Sequence, residues 1–401
     1  MKTIQTACVL LTALLAALSL GACSASRANE EEHLTLLSYN VQNLFDGVYD
    51  GTEYHAFDPR DGVWDEAAAE AKAERIARVV REAVDGGPDV LCLQEVENAR
   101  IVSLLASEFL SGLGYRHAAV TEAVGPAVQV AVLSRHRVRD ARVHAVAAGG
   151  ERGGGEQPFS ASRLRPVLET HLDIDGASLH VFSNHWKSKS GGAAATEPAR
   201  RAAAGVIARR IGAIEADDPR ADIVVCGDLN EEPAEYHLAD GAYPTALMPA
   251  ELLGAVEDDG LSLYLSTDPT VVSEAAGAAV DGTAAAGAAA GGADAAATQT
   301  AGADAAAPVL YSPWSEKHAP GSYFFRSRWR RLDHTLVSGA LFDARGFSFS
   351  SFTVVRPAFA VTADGRPKPS PRPGAEGWDT APGEGYSDHF PVLLTLERES
   401  R

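Results

Sequence analysis

Cysteine is scarce in this sequence, with four in 401 residues. Cys8 and Cys23 fall in the first stretch of the chain, which leaves Cys92 and Cys226 in its body. Both sit in apolar runs, Val90-Leu91-Cys92-Leu93 and Val224-Val225-Cys226, where a buried free thiol is the expected state. A disulfide framework and a zinc-ligand spacing are excluded on that count. Positive charge is also short, with 35 Lys and Arg against 54 Asp and Glu and a formal net charge of -19. Tight, processive binding to a polyanion by neutralising its phosphates wants the opposite balance. An enzyme acting on such a polymer through local charge is not excluded. The apolar run from Val9 to Leu20 is too short to span a bilayer comfortably. What the chain does have, 46% hydrophobic and 22% charged residues, fits a globular protein with a sizeable core, and its length leaves one or two domains open.

Lys2 ahead of that run and Leu20-Gly21-Ala22-Cys23 behind it have the plan of a secretory signal, so residues 1–22 are expected to be removed on export. Losing Lys2, the only charged residue of that stretch, takes the formal charge from -19 to -20. Cys23 directly after Leu-Gly-Ala resembles the cysteine of the bacterial lipobox. The resemblance implies acylation of its sulfur and durable membrane attachment. Residues 23–32, polar and featureless, then read as a tether. The expected product is a membrane-anchored lipoprotein facing the periplasm or the cell surface.

Short apolar runs at 34–39, 90–93, 128–133, 179–183, 223–226, 332–337 and 392–396 end in polar residues and predict central strands of covered sheets. Helical spacing over 66–84, 99–110 and 197–216 alternates with them, and Gly86-Gly87-Pro88 and Asp217-Asp218-Pro219 supply stops. The pattern is α/β. From about 275 to 307 the sequence collapses into Ala, Gly, Asp and Thr, which cannot bury enough surface to offset the entropy of ordering. It predicts a flexible insertion within one domain spanning 33–398. The Pro/Gly-rich stretch 365–385 predicts another long loop. Arg200, Arg201, Arg209 and Arg210 read as the exposed side of the third helix.

Six segments repeat one design, an apolar strand delivering polar residues at its end: Ser38-Tyr39-Asn40-Val41-Gln42-Asn43, Leu93-Gln94-Glu95-Val96, Asn184-His185-Trp186-Lys187-Ser188-Lys189, Gly227-Asp228-Leu229-Asn230, Arg331-Leu332-Asp333-His334 and Tyr386-Ser387-Asp388-His389. Taken singly, each is a common structural feature. In this order they resemble the endonuclease/exonuclease/phosphatase superfamily, the DNase I-like group, across residues 34–396 apart from the insertion. The resemblance implies a four-layer α/β/β/α sandwich, two packed mixed β-sheets flanked by helices, with the active site at one end.

The residue types suit phosphodiester hydrolysis, which needs a water nucleophile, neutralised phosphoryl oxygens and help for the departing oxygen. Carboxylates with an amide oxygen suit Mg²⁺, with Mn²⁺ or Ca²⁺ as alternatives. As the family pattern implies, Glu95 holds the metal with Asn40 beside it and Asp388 approaching from the last motif. Asp333 orients His389, and Asp228 orients or deprotonates the water, with the choice of base between Asp228 and His389 left open. Asn230 donates to a phosphoryl oxygen, while His185 contacts the scissile phosphate and protonates the leaving group. Lys187 and Lys189 are candidates for substrate phosphate. Arg326, Arg328, Arg330 and Arg331, interleaved with Phe324, Phe325 and Trp329, fit either a phosphate backbone with stacked bases or a solvated strand face. The segment from Asn184 through Arg201 looks most like bacterial secreted nucleases. The expected function is an exported endonuclease on DNA or RNA, acting as a monomer without an obligate protein partner. The alternatives are a sphingomyelinase, a phosphoinositide or phosphomonoester phosphatase, and an inactive binding lipoprotein.

Overall fold

The alternation of side chains along the strands fixes how the layers stack. The computed structural model describes residues 32–147, 164–280, 307–318, 320–374 and 385–398, so the segments expected to be a signal and a tether, Cys23 included, lie outside the described residues except for Glu32. One six-stranded sheet runs in the order β15-β16-β1-β2-β4-β3, from Phe347–Val354, Val392–Arg398, Glu32–Leu44, Val90–Val96, Gln129–Ser134 and His117–Val120. The other has eight strands in the order β5-β6-β7-β8-β14-β11-β10-β9. These are Arg137–His144, Val167–Ile174, Ala177–His185, Ile223–Asp228, Asp333–Val337, Val309–Tyr311, Leu263–Ser266 and Leu247–Pro249. Parallel pairs β1/β2 and β7/β8 sit beside antiparallel pairs in each sheet, so both are mixed.

Leu34, Leu36, Val90, Cys92 and Val132 face one way and meet Leu172, Val181, Val224, Cys226 and Val337 of the other sheet in a shared core. Their neighbours in sequence face outward, because successive side chains of a strand point to opposite faces. Leu37, Tyr39, Leu91, Leu93 and Leu133 pack under α1 (Glu66–Ala83) and α2 (Ala99–Leu104). Phe182, Ile223, Val225 and Leu336 pack under α3 (Ala193–Asp217). Helix, sheet, sheet and helix make four layers, as the motifs implied. Cys92 and Cys226 are free and buried between the sheets.

The helices form where the spacing places them. The Asp65 carboxylate caps α1 by accepting the Ala68 N–H, and Ala69, Ala73, Ile76, Ala77 and Val80 bury one stripe of it. Helix α3 starts a turn earlier than expected, after Gly192, and Pro198 lies inside it rather than at its start. Between β10 and β11 the helix α5 (Pro269–Val280) occupies the first residues assigned to the insertion, and its Val272 is buried. Residues 281–306 lie outside the described residues. A one-turn helix, α4 (Glu235–Leu238), and a two-stranded hairpin of β12 (Tyr323–Phe325) and β13 (Arg328–Arg330) complete the elements used below. Among the described residues, no helix is long and apolar enough to cross a membrane.

Candidate functional site

One rim of the sandwich collects the ends of strands from both sheets. Asn40 and Glu95 stand near the ends of the parallel pair β1 and β2, and His185 and Asp228 end the parallel pair β7 and β8. Strand β14 begins at the same rim with Asp333 opposite Asp228 in register. Asp388 and His389 arrive just before β16, and His389 bridges Tyr323 of the hairpin. The Asn40 amide joins the two sheets, donating to Glu95 Oε1 and to Asp228 Oδ2, each at 3.1 Å.

Backbone geometry aims these side chains. Gly227 adopts φ +125°, and a Cβ there would lie 2.0 Å from the Asn184 carbonyl oxygen on β7. Only glycine lets β8 close on β7 just before Asp228. Glu95 sits at φ +65° where β2 slips register between Gln94 and Val96. An extra residue at such a bulge redirects a side chain that an even ladder would leave in the pleat. Asn230 also has positive φ, at 52°, in the turn where its N–H donates to Asp228 Oδ1 at 2.9 Å. Non-glycine residues in this region carry strain that surrounding contacts must hold in place.

Burial and neighbouring charge together raise Glu95, Asp228 and His389 and lower His185. Burial, joined by Asp388, raises Glu95 above the usual glutamate range, while the Asn40 hydrogen bond opposes it. Burial pushes Asp228 up to about 7, with His389 lowering and Asp333 raising it. His389 is different. Burial acts to lower it, but Asp333, through its charge and hydrogen bond, together with Asp228 and Asp388, lifts it well above the ordinary histidine value. Its Nδ1 lies 2.8 Å from Asp333 Oδ2, which also accepts from Ser322 Oγ at 2.5 Å, and its Nε2 is 3.9 Å from Asp228 Oδ2. The Tyr323 ring stacks on it at 4.4 Å between centroids. Burial, Arg165 and His389 hold His185 well below its ordinary value, so its imidazole is neutral. Its Nε2 is 3.7 Å from both Glu95 Oε1 and Asp228 Oδ2.

Carboxylates crowd this rim, and burial together with their mutual repulsion raises Glu95 and Asp228. Hard oxygen donors short of compensating charge fit a divalent cation. The fit centres on Glu95, whose two oxygens each accept a single N–H, from Asn40 and from Asn43. Asn40 turns its nitrogen toward the carboxylates, and its oxygen accepts the Gln42 N–H at 3.0 Å. Asp388 is half-buried beside them. Lys187 donates to Ser188, and Lys189 pairs with Glu235 of α4, so the structure does not bring Lys189 into the cluster. Arg326 lies over the Phe325 ring and Arg328 is exposed on the hairpin, whereas Arg330 pairs with Glu232 at 3.0 Å.

The reading of Arg200 as exposed is overturned: its side chain is fully buried between Glu197 and Glu231. Arg210 likewise pairs with Glu169, and Arg201 with Asp258 and Asp259. Helical spacing alone cannot tell a solvated arginine from one whose partners come from distant loops. The sequence reading also missed Arg165, whose guanidinium donates to the carbonyls of His185 and Trp186 and faces Glu95 and Asp228. It missed Tyr323 and Ser322 as well. No spacing marks these three, because each reaches the rim from a loop or hairpin outside the strand-ending motifs.

A model of the Endonuclease/Exonuclease/phosphatase family matches residues 35–246, more than half of the chain. No match is found among curated proteins. A solved endonuclease/exonuclease/phosphatase from Bacteroides vulgatus is 14% identical, with 92% of this chain and 100% of that chain covered and a TM-score of 0.47. A family protein from Bacteroides thetaiotaomicron is 13% identical, covering 92% and 99% with a TM-score of 0.45. D. rerio TDP2, complexed with a single strand DNA product, is 14% identical, covering 91% and 99% with a TM-score of 0.42.

Proposed function

For a chain that belongs to the endonuclease/exonuclease/phosphatase family, we propose hydrolysis of phosphodiester bonds in nucleic acid by an exported enzyme that requires Mg²⁺. The observation that carries this reading is the convergence of Glu95, Asp228 and the Asp333–His389 pair at one rim, linked by the Asn40 amide and the His389 imidazole. Glu95 and Asp388 would hold the metal, with Asn40 alongside. The ion, when bound, supplies charge neutralisation at the phosphoryl oxygens. Everything else is done by the chain's own groups.

Asp228, with its carboxyl near 7, is matched to accept a proton from the attacking water at neutral pH, since a base works best with a pKa close to the operating pH. This favours Asp228 over His389 as the base. His389, held charged by Asp333, is already protonated and opposes the negative charge that grows on the phosphoryl group. Asn230 keeps the Asp228 carboxylate in place through its backbone N–H, and its side-chain amide donates to the Trp186 carbonyl at 3.2 Å. His185, neutral and buried, is suited to donating an N–H hydrogen bond rather than carrying a charge. The hairpin beside His389 carries an exposed Phe325 and exposed Arg328, which supports stacking of bases and contact with phosphates.

The test is a panel with the purified protein and Mg²⁺, Mn²⁺ or Ca²⁺. Cleavage of plasmid DNA, single-stranded DNA or RNA, strongest with Mg²⁺, is the expected result. Intact nucleic acids together with turnover of sphingomyelin, a phosphoinositide or a phosphomonoester would overturn the substrate and keep the chemistry. The lipid anchor is part of the same proposal. A Cys23→Ser substitution is expected to release the protein from the membrane fraction, and unchanged membrane attachment would refute it.

A further inference from the structure

Beyond the reactive rim, the loop that follows β1 gathers carboxylates for which the chemistry above has no use. One carboxylate oxygen from each of Asp50, Glu53 and Glu97 lies within 4.8 Å of the others. Oxygens sharing a Ca²⁺ ion at about 2.4 Å can be no farther apart than about 4.8 Å, so this spacing is compatible with a shared ion. Like charges this close repel, and proteins bring them together where a cation compensates.

Crowded acids alone would be unremarkable on a surface. Glu97 is not on the surface: it is 3% exposed, and its Oε1 is buried with no hydrogen-bond partner. Its other oxygen accepts the Asp46 N–H at 2.7 Å. An unpaired carboxylate oxygen removed from water costs several kcal/mol on general grounds unless something satisfies it. The neighbouring Asp46 is equally buried yet fully served, by Val48 N–H on one oxygen and by Asn98 and Arg100 on the other. Arg100 is therefore committed to Asp46, and Glu97 is left facing Asp50 and Glu53 with an open oxygen. The loop holds those two in position, with Glu53 accepting the Asp50 and Gly51 N–H groups and Asp50 accepting from Thr52.

We propose that Asp50, Glu53 and Glu97 form a second cation site, separate from the reactive rim, that takes Ca²⁺. Carboxylates from an irregular loop suit the large, flexible shell of Ca²⁺ better than the rigid octahedron of Mg²⁺. The site braces the connection between β1 and α1. Glu97 fixes Asp46, the Asp46 carbonyl accepts the Trp64 indole N–H at 2.9 Å, and the same loop carries Tyr54 toward Phe45 and Glu95. An ion here ties the surface loop to the end of β2, two residues beyond Glu95.

The test uses calorimetric titration with CaCl₂ and melting temperature, in a Glu95→Gln background that disables the reactive-rim site. Binding of one Ca²⁺ with a Kd on the order of 10⁻⁵ to 10⁻³ M and a rise in melting temperature of a few degrees are expected. Adding Glu97→Gln is expected to abolish both. Should that variant fail to fold, the pair Asp50→Asn and Glu53→Gln, on a solvent-facing loop, is expected to do the same. Absence of heat and of thermal shift in the Glu95→Gln protein, or unaltered binding after either set of substitutions, would overturn the proposal.

Discussion

Arg200 is fully buried in α3 between Glu197 and Glu231, and every charged side-chain atom of that trio has a partner. The guanidinium also donates to Thr196, Ala193 and Lys187, while Glu197 and Glu231 accept the Ala246 and Leu247 N–H groups at 2.7 and 2.9 Å. At the reactive rim, buried charge is arranged differently. His185 Nδ1 and Asp333 Oδ1 have no partner, and the Arg165 guanidinium, which faces His185, is committed to backbone carbonyls. A closed ionic cluster has nothing left to offer a ligand, whereas an open one is stabilised by whatever supplies the missing charge. Buried charge alone therefore does not mark a site. Incomplete satisfaction of that charge does.

The contrast predicts opposite responses to losing charge. Asp228→Asn and His389→Gln at the rim are expected to lower phosphodiester turnover by about 10³-fold or more, on the scale of lost acid–base and electrostatic groups. The melting temperature of Asp228→Asn should hold or rise, because removing a carboxylate from a crowded, buried group relieves repulsion. A large fall in that melting temperature with retained turnover would show that the rim is the structural cluster. Arg200→Met is the converse. It strands Glu197 and Glu231 in the interior and is expected to cost about 3–5 kcal/mol in denaturant unfolding. Adding Glu197→Gln and Glu231→Gln should recover much of that loss, and failure to recover it would mean that packing rather than charge holds α3 to its sheet.

What the sequence disclosed follows the same division. The strands carrying Asn40, Glu95, His185 and Asp228 were legible because each is an apolar run that gives way to polar residues at the rim, and Asp333 and His389 were legible as polar residues placed just ahead of the apolar runs of β14 and β16. Edge strands such as β5, mostly exposed from Arg137 to His144, carry no such run and were missed. So were β9 and β11, three residues each. Arg200 was misread and Arg165 overlooked for one reason. Glu231, which closes on Arg200, and the His185 and Trp186 carbonyls, which hold Arg165, come from other elements, and single-chain periodicity reports which face a residue occupies, not what waits opposite. Glu97 escaped notice because Glu95, two residues earlier, already accounted for an acid at the end of β2.

Asp222 is an intermediate case that tests the rule with a smaller effect. It is 7% exposed; Oδ2 accepts the Phe347 N–H at 3.1 Å and Oδ1 has no partner, so it is half satisfied. Burial pushes its carboxyl up to about 7, with Asp343 and Asp218 adding to the rise. Because the folded-state value lies above the unfolded one, the folded protein binds the extra proton. The stability linked to Asp222 is then full below about pH 4 and declines as pH rises to about 7. An asparagine at this position would keep the acceptor for Phe347 without ionising. Asp222→Asn is expected to leave unfolding free energy unchanged near pH 4 and raise it by about 2 kcal/mol at pH 8. A constant difference between the two proteins across that range would mean that the Asp222 carboxylate is compensated after all, and that an unpaired oxygen is not by itself a sign of an open cluster.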